Sequence, residues 1–289
     1  MSTFILLTAT GLGLAALYFL VAAGLSLIFG LMDVLNFAHG AFVSVGAYAA
    51  WTVADHVGGT AGLLLALPAA VAAGAAAAGL TELSVIRPLY ARPLDQVLVT
   101  VGLGLAIPAL LQAIWGADPV EWQLPGWLNG TVTVLGARLP TTRFVLIGSA
   151  ALLLLGLHLL LSRTRAGLVV RAGVEDRDMV AALGINVRRA FTAVFALGGA
   201  AAGLAGLLDG VYQGSTSPGD GTSLLIFAFV VVVLGRMGSL MGTAVAAAAV
   251  GLVQQFADYA SSSLGDESVV ILLAAVLLLR RREPKGRPA

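Results

Sequence analysis

The sequence contains no cysteine and little charge. Without cysteine the chain has no disulfide, no thiolate metal site and no thiol nucleophile. Its three histidines are too few and too scattered to form a histidine-based metal site. Charged residues make up 11% of its 289 residues, whereas soluble domains carry about 25%. With 59% hydrophobic residues and a mean hydropathy of +0.97, the chain is expected to have the lipid bilayer as its main solvent.

Long apolar runs fill most of the sequence. We predict an all-α, polytopic transmembrane bundle that forms one domain over 1–289, with eight or nine membrane segments and helices broken near 31–40 and 235–242. The first run has no basic residues before it and is too long for a signal peptide, so we expect it to be retained. The predicted segments are 4–30, 41–54, 61–86, 94–115, 143–161, 191–212, 222–234, 239–256 and 268–279.

The basic residues are distributed unevenly between the loops. If every segment crosses and the Arg-rich loop 162–190 is cytoplasmic, fourteen of the sixteen Lys and Arg residues lie inside, and only Arg138 and Arg143 lie outside. This positive-inside bias places the N-terminus outside and the basic tail 280–289 in the cytoplasm. The outer loop 116–142 then contains tryptophans that fit an interfacial belt, namely Trp122 and Trp127, with Trp115 at its edge.

The first polar break contains Asn36-Phe37-Ala-His39-Gly40 between two apolar runs. Broken helices at membrane depth are tolerated only against protein or a water-filled cavity, and hydrocarbon penalises polar side chains. These residues are therefore candidates for a translocation path or gate, with a helix N-terminus near Gly40 facing an anionic group. An ordinary cytoplasmic turn that caps helices explains them equally well.

A second glycine-containing break follows the seventh segment. Its candidate gate residues are Gly235, Gly238, Ser239 and Gly242. Paired breaks in two halves of a chain indicate a pseudo-symmetric transporter site. Glycines four residues apart, as at 199 and 203 and at 206 and 210, allow close approach of helices, although any compact membrane bundle has such pairs.

The charged loop has the pattern of a short amphipathic helix over 174–183, with Glu175 and Asp178 on one face and Gly184 as its stop. Such a helix suits docking into a groove of a soluble protein. The alternative is a solvated loop whose arginines only set topology and contact lipid headgroups. No catalytic set and no phosphate-binding loop occurs in the sequence, so we expect no enzyme activity, no cofactor, no metal and no ATP hydrolysis by this chain.

Three stretches resemble the permease subunits of branched-chain amino acid ABC importers of the LivH type. The stretch 24–40 resembles a signature around Asn-Phe-Ala-His-Gly, 171–186 resembles a cytoplasmic coupling segment, and 233–242 resembles a Gly-Gly-x-Gly-Ser-x-x-Gly segment. Arg236 departs from this pattern, because the family more often has glycine there. The basic ending after Arg280 also departs from the family's Pro-x-Gly-Leu-x-Gly.

The resemblance implies a multi-pass protein of the bacterial plasma membrane that works in a heteromeric importer. The implied partners are a second related permease, two ABC ATPase subunits, an extracytoplasmic substrate-binding protein, an amino acid substrate and membrane lipid, with no nucleic acid. The implied ATPase-coupling residues are Arg171, Glu175, Asp176, Asp178, Leu183, Gly184 and Ile185.

Two other functions remain open at this point. Relatives of this family carry urea or short amides, so the substrate class has an alternative. A stand-alone secondary carrier would need ion-coupling carboxylates within its spans, and the nearest candidates, Glu82, Asp95 and Asp209, all lie close to predicted segment ends.

Overall fold

The structure is a computed structural model that describes residues 2–32, 34–134, 136–164, 167–169, 172, 187–261 and 264–281. The residues predicted to form the coupling helix lie outside this part of the chain. The α-helices are α1 (Ser2–Met32), α2 (His39–Val57), α3 (Gly59–Thr81), α4 (Pro93–Trp115), α5 (Thr141–Arg163), α6 (Val187–Gln213), α7 (Asp220–Leu234), α8 (Leu240–Ala260) and α9 (Gly265–Arg281).

Short elements complete the described fold. A π-helical turn (Glu82–Ile86) and a 3-10 turn (Arg87–Leu89) continue α3. Four short strands lie in loops, as β1 (Val120–Glu121), β2 (Thr131–Val134), β3 (Ala137–Pro140) and β4 (Ser215–Thr216). Strand β1 pairs antiparallel with β4, and β2 pairs antiparallel with β3.

The prediction of an all-α membrane bundle is confirmed, because each of the nine predicted apolar runs overlaps one of α1 to α9. Six of these helices are long and apolar enough to cross a membrane by themselves. The other three, α2, α7 and α9, are shorter or more polar. Helix α1 is the most enclosed of the spans, and its central residues Leu20 to Ala23 have almost no exposed surface.

The helices run between two ends of the bundle, which we name by their residues. The sheet end holds the four strands, where the Trp51 indole donates to the Glu121 carbonyl and the Trp122 indole donates to Thr216. The arginine end holds Arg87, Arg92, Arg163, Arg188, Arg189 and Arg236. The expected belt of tryptophans is only partly found, because Trp122 is 8% exposed and packs inside the bundle against Gly210.

Helix α2 begins in the middle of the bundle and not at its arginine end. His39 lies against Val21 and Gly24 of α1, about nine residues before α1 ends, which is roughly 14 Å along the helix axis. The chain after Met32 therefore turns back alongside α1 before α2 starts. Helix α7 also begins there, because Gly221 packs directly against the backbone of Gly40.

The two interior helix starts show that the two halves of the chain have the same order of elements. In each half a long helix (α1 or α6) is followed by six residues, a helix that starts inside the bundle (α2 or α7), and two more helices. Equivalent helices run in opposite directions, as in transporters built from inverted repeats. The counterpart of the first break is thus 214–219, which the sequence pattern marks only as the end of the sixth segment. The break at 235–239 is a separate turn between α7 and α8.

Glycine allows α6 to pack closely against its neighbours. Gly199 and Gly203 face Gly74 and Ala70 of α3, and Gly206 faces the backbone of α2 at Val43. A side chain at any of these positions would collide with a neighbouring backbone atom. The close approach expected from these glycine pairs is therefore confirmed for the contacts of α6 with α2 and α3.

Candidate functional site

The candidate residues of the first break lie together at the middle of the bundle. The Asn36 side-chain oxygen accepts a hydrogen bond from the Ala38 amide at 3.1 Å, which fixes the turn before α2. The Val21 carbonyl lies 3.1 Å from His39 Nε2. Because a carbonyl can only accept, Nε2 carries the proton, and Nδ1 is left as an acceptor.

Several polar atoms at this start of α2 are buried without a hydrogen-bond partner in the described part of the chain. They are Asn36 Nδ2, His39 Nδ1 and, farther along α2, the Tyr48 hydroxyl. Asn36, His39 and Tyr48 are all almost completely buried. Buried polar groups usually have partners, so each exception needs a reason. At a membrane protein's centre, unpaired polar groups next to a broken helix mark a place where a ligand or water can bind.

The start of α7 meets the start of α2 at this point. Ser44 Oγ donates to the Pro218 carbonyl at 2.9 Å and accepts from the Gly221 amide at 3.3 Å. Asp220 accepts from the Ser217 amide at 2.6 Å and so closes the turn before α7. The N-termini of α2 and α7 therefore meet at the bundle centre, where both helix dipoles have their positive ends.

Aromatic and backbone contacts close the α2 side of this site. The ring centroid of Phe37 lies 5.0 Å from that of Phe229 on α7. The Phe37 carbonyl also lies close to Gly104 of α4. The break before α2 is therefore packed between α7 and α4.

The candidates of the second break lie at the arginine end and do not join the first group. Gly238 packs against Gly30 of α1. Ser239 caps α8, because its side-chain oxygen accepts from the Gly242 amide at 3.1 Å. Thr243 Oγ1 lies 3.1 Å from Ser26 Oγ of α1, so α8 is tied to α1 one turn beyond the cap. Gly235 packs against Gly242 and Thr243.

Arg236, which departs from the family pattern, has a left-handed backbone with a φ of 67°. Glycine adopts this conformation without strain, whereas residues with a side chain are strained in it. The geometry thus gives a physical reason for the glycine that the family more often carries. Arg236 also lines an apolar cavity of about 450 Å³ between α7, α8 and α9.

The predicted coupling residues, 171 and 175 to 185, lie outside the described residues. The helices on either side of them are described, and α6 is anchored close to its start. Arg87 contacts both carboxylate oxygens of buried Glu82 at 3.2 Å and donates to Thr192 of α6 at 2.6 Å. Tyr90 donates to the same carboxylate at 2.6 Å.

This network was not predicted from the sequence. The sequence does contain one signal for this network. Glu82 is a single carboxylate at the end of an apolar run, and Arg87 follows it five residues later. The network links the start of α6 to the turn between α3 and α4. Among the described residues, no group of three or more His, Asp or Glu side chains is placed to hold a metal ion.

Comparison with known proteins identifies the family. The chain is 30% identical over 257 residues to the high-affinity branched-chain amino acid transport system permease protein BraD of Pseudomonas aeruginosa, covering 85% of this chain and 83% of that protein. It is 28% identical over 256 residues to LivH of Escherichia coli K12, covering 84% and 82%. It is 30% identical over 281 residues to LivM of the same organism, covering 87% and 65%.

No solved structure matches this chain. The family model described as branched-chain amino acid transport system / permease component matches residues 7–280. The matched residues overlap each of the helices α1 to α9. The resemblance expected from the three motifs is thereby confirmed, and the chain belongs to the family of branched-chain amino acid transport system permease components.

Proposed function

We propose that this chain is the transmembrane permease subunit of an ABC importer and forms, with a second related permease, the translocation path for branched-chain amino acids. The observation that carries the proposal is the meeting of two interior helix starts, α2 and α7, beside the unpartnered polar atoms of Asn36 and His39. Discontinuous helices of inverted repeats form substrate sites near the bilayer midplane in transporters. The candidate gate residues of the second break would close the same path at the arginine end.

The arginine end is proposed to face the cytoplasm, with the N-terminus outside. The described residues support this orientation through Arg87, Arg92, Arg163, Arg188, Arg189 and Arg236, which share that end. Two ATPase subunits would dock there on the loop 171–186. A soluble binding protein would deliver the substrate at the sheet end. The similarity of the chain to both LivH and LivM supports a pair of related permeases.

ATP binding would close the ATPases and move the coupling loop. Because α6 follows that loop directly, the movement would reach Thr192 and, through Arg87 and Glu82, the turn between α3 and α4. Glycine-lined contacts join α6 to both α2 and α3. Movement of α6 would therefore shift α2 relative to α7 and open the site at Asn36 and His39 alternately to either side.

The test is co-purification of a tagged chain from its native membrane, together with uptake of radiolabelled L-leucine. We expect an ATPase and a second permease to be recovered with it. Reversal of Glu175 and Asp176 to Lys should release the ATPase and abolish uptake while the permease stays in the membrane. The matched control reverses the exposed Asp118 and Glu121 of the outer loop and should leave the ATPase bound. A stable complex without an ATPase, or unaltered uptake in the first variant, overturns the proposal.

A further inference from the structure

The apolar cavity between α7, α8 and α9, which we name the Arg236 cavity, opens to the outside of the bundle. Its volume is about 450 Å³, and Arg236 is the charged residue among the described residues that line it. Met241 and Val245, one helical turn apart on α8, also line it and are 57% and 67% exposed. In a membrane such an exposed apolar wall meets lipid acyl chains. A protein cavity of about 150 Å³ holds a benzene molecule, so this one has room for part of an acyl chain.

The turn 235–239 holds Arg236 at the edge of this cavity. Gly235 packs against Gly242 on one side of the turn, and Gly238 packs against Gly30 of α1 on the other. Arg236 itself is exposed and has the left-handed φ of 67°. Strained backbone persists only where the surrounding structure imposes it, and it is concentrated at functional positions such as ligand clamps. The fold therefore keeps a cation at a position where glycine would be unstrained.

The edge of the cavity lies in a positively charged region. Arg236 forms no ion pair within the described part of the chain, and the described carboxylates of the arginine end each pair with an arginine of their own. Helix α9, which lines the cavity with Leu272 and Val276, ends with two further arginines, Arg280 and Arg281. An apolar pocket with this charge at its edge is complementary to a molecule that has a long apolar chain and an anionic head.

We propose that the Arg236 cavity binds an anionic phospholipid. One acyl chain lies between α7, α8 and α9, and the Arg236 guanidinium binds the phosphate, whose oxygens accept from its parallel N–H groups. Basic pockets between membrane helices are typical binding sites for anionic headgroups. In the orientation proposed above, the lipid belongs to the cytoplasmic leaflet, and this assignment of the leaflet is the part that rests on the proposed function.

A lipid fits the cavity better than either of two protein segments. The chain's own tail, 282–289, carries three basic residues and one acidic residue, so Arg236 repels it. Membrane helices that pack closely against each other use small residues at the contact, as α6 does at Gly199 and Gly203. The outer wall of the Arg236 cavity instead carries the larger side chains of Met241 and Val245.

The test places one fluorophore in the cavity, since the chain has no cysteine of its own. The purified full chain with Val245→Cys, labelled with bimane, is reconstituted in vesicles that contain brominated phosphatidylglycerol or brominated phosphatidylcholine, which quench the label on contact. We expect phosphatidylglycerol to bind about fivefold more tightly, which is the typical contribution of one arginine at an anionic membrane surface. Leu152→Cys on α5, 72% exposed, is the matched control and should be quenched equally by both lipids.

Variants of Arg236 separate its charge from its backbone. Arg236→Gln keeps a side chain in the left-handed position without the charge, and Arg236→Lys keeps the charge. We expect the preference for phosphatidylglycerol to disappear in R236Q and R236G and to persist in R236K. Because glycine relieves the strain, misfolding cannot explain a loss of preference in R236G. R92Q, which removes an exposed cation at the same end, should leave the preference unchanged.

Three outcomes would overturn the proposal. The first is equal binding of the two lipids at Val245→Cys when Arg236 is present. The second is a preference that R236Q does not change, or that R92Q lowers as much as R236Q does, since general attraction to the arginine end would then explain it. The third is absence of quenching by either lipid, which would mean that a protein segment covers the cavity.

Discussion

The two interior helix starts share a backbone arrangement but differ in chemistry. At the start of α7, Ser217, Asp220 and Ser44 satisfy one another and the neighbouring backbone by hydrogen bonds. At the start of α2, Asn36 and His39 each use one polar atom and leave another buried without a partner among the described residues. The α7 start is therefore satisfied by its own hydrogen bonds, whereas under the proposed function the α2 start keeps polar atoms for a ligand.

The contact between the two starts should be the most sensitive point of the fold. Gly221→Val adds a side chain where the Gly40 carbonyl already lies against the backbone. We expect more than about 3 kcal/mol of destabilisation, because backbone atoms on both helices must move. The measurement is the fraction of monodisperse protein after detergent extraction. Gly148→Val on α5, whose added side chain meets nothing within 4 Å, is the control and should extract normally.

The α7 start should lose stability when its hydrogen bonds are removed. Ser44→Ala leaves the Gly221 amide without its acceptor and the Pro218 carbonyl without its donor. We expect a loss of about 2 kcal/mol, since unsatisfied buried groups cost about 1–3 kcal/mol. Thermal unfolding in detergent measures it. Thr52→Ala on the same helix removes only a bond to the preceding turn and should cost less than half as much. Equal losses of stability in the two variants would mean that the hydrogen bonds of Ser44 to Pro218 and Gly221 add no stability beyond an ordinary bond within a helix.

A substitution at the start of α2 should lower the transport rate and leave the stability of the protein unchanged. Asn36→Asp keeps the oxygen that accepts from the Ala38 amide but replaces the unpartnered nitrogen by a second oxygen. We expect leucine uptake to fall about tenfold, which corresponds to about 1.4 kcal/mol. The equivalent exchange at the α7 start, Asp220→Asn, keeps an acceptor for the Ser217 amide and supplies the comparison. Lower thermal stability of Asn36→Asp with unaltered uptake would contradict the functional interpretation.

A substitution in the turn at 235–239 should have the smallest effect on stability, and it should stabilise the protein rather than destabilise it. Arg236→Gly should raise stability by about 0.5–1 kcal/mol, because relief of the left-handed conformation outweighs the added freedom of the unfolded chain. A rise of the midpoint of thermal unfolding by about 2 °C is expected. Met237→Gly is the control, since Arg236 is the non-glycine residue with positive φ in the described chain, and it should lower the midpoint.

Much of the fold was predictable because helix length and hydropathy are local properties. Apolar runs bounded by Pro, Gly and charged residues placed all nine described helices, since a bilayer admits few other structures for such runs. The break at 36–40 was predicted as well. Its counterpart at 214–219 was not, because Gly214-Ser-Thr-Ser-Pro-Gly219 looks like an ordinary exposed turn in the sequence.

The candidate site was predictable only in part. The sequence selected Asn36, His39 and Gly40 because polar residues within apolar surroundings stand out. It did not select Ser44, which contacts a residue 174 positions away, or Thr192, which receives a bond from Arg87 across 105 positions. Single serines and threonines are common in membrane helices and are tolerated there by bonding to their own backbone, so their long-range roles leave no local pattern.

The sequence by itself determined that this protein is a helical membrane protein, which end of the bundle carries the arginines, and which permease family it belongs to. These properties depend on composition, segment length and motifs, each readable along the chain. Only the tertiary structure decided that α2 and α7 begin inside the bundle and that the Arg143 guanidinium lies over the ring of Tyr212. Those facts depend on glycine contacts between distant helices, and no local propensity encodes which helices will meet.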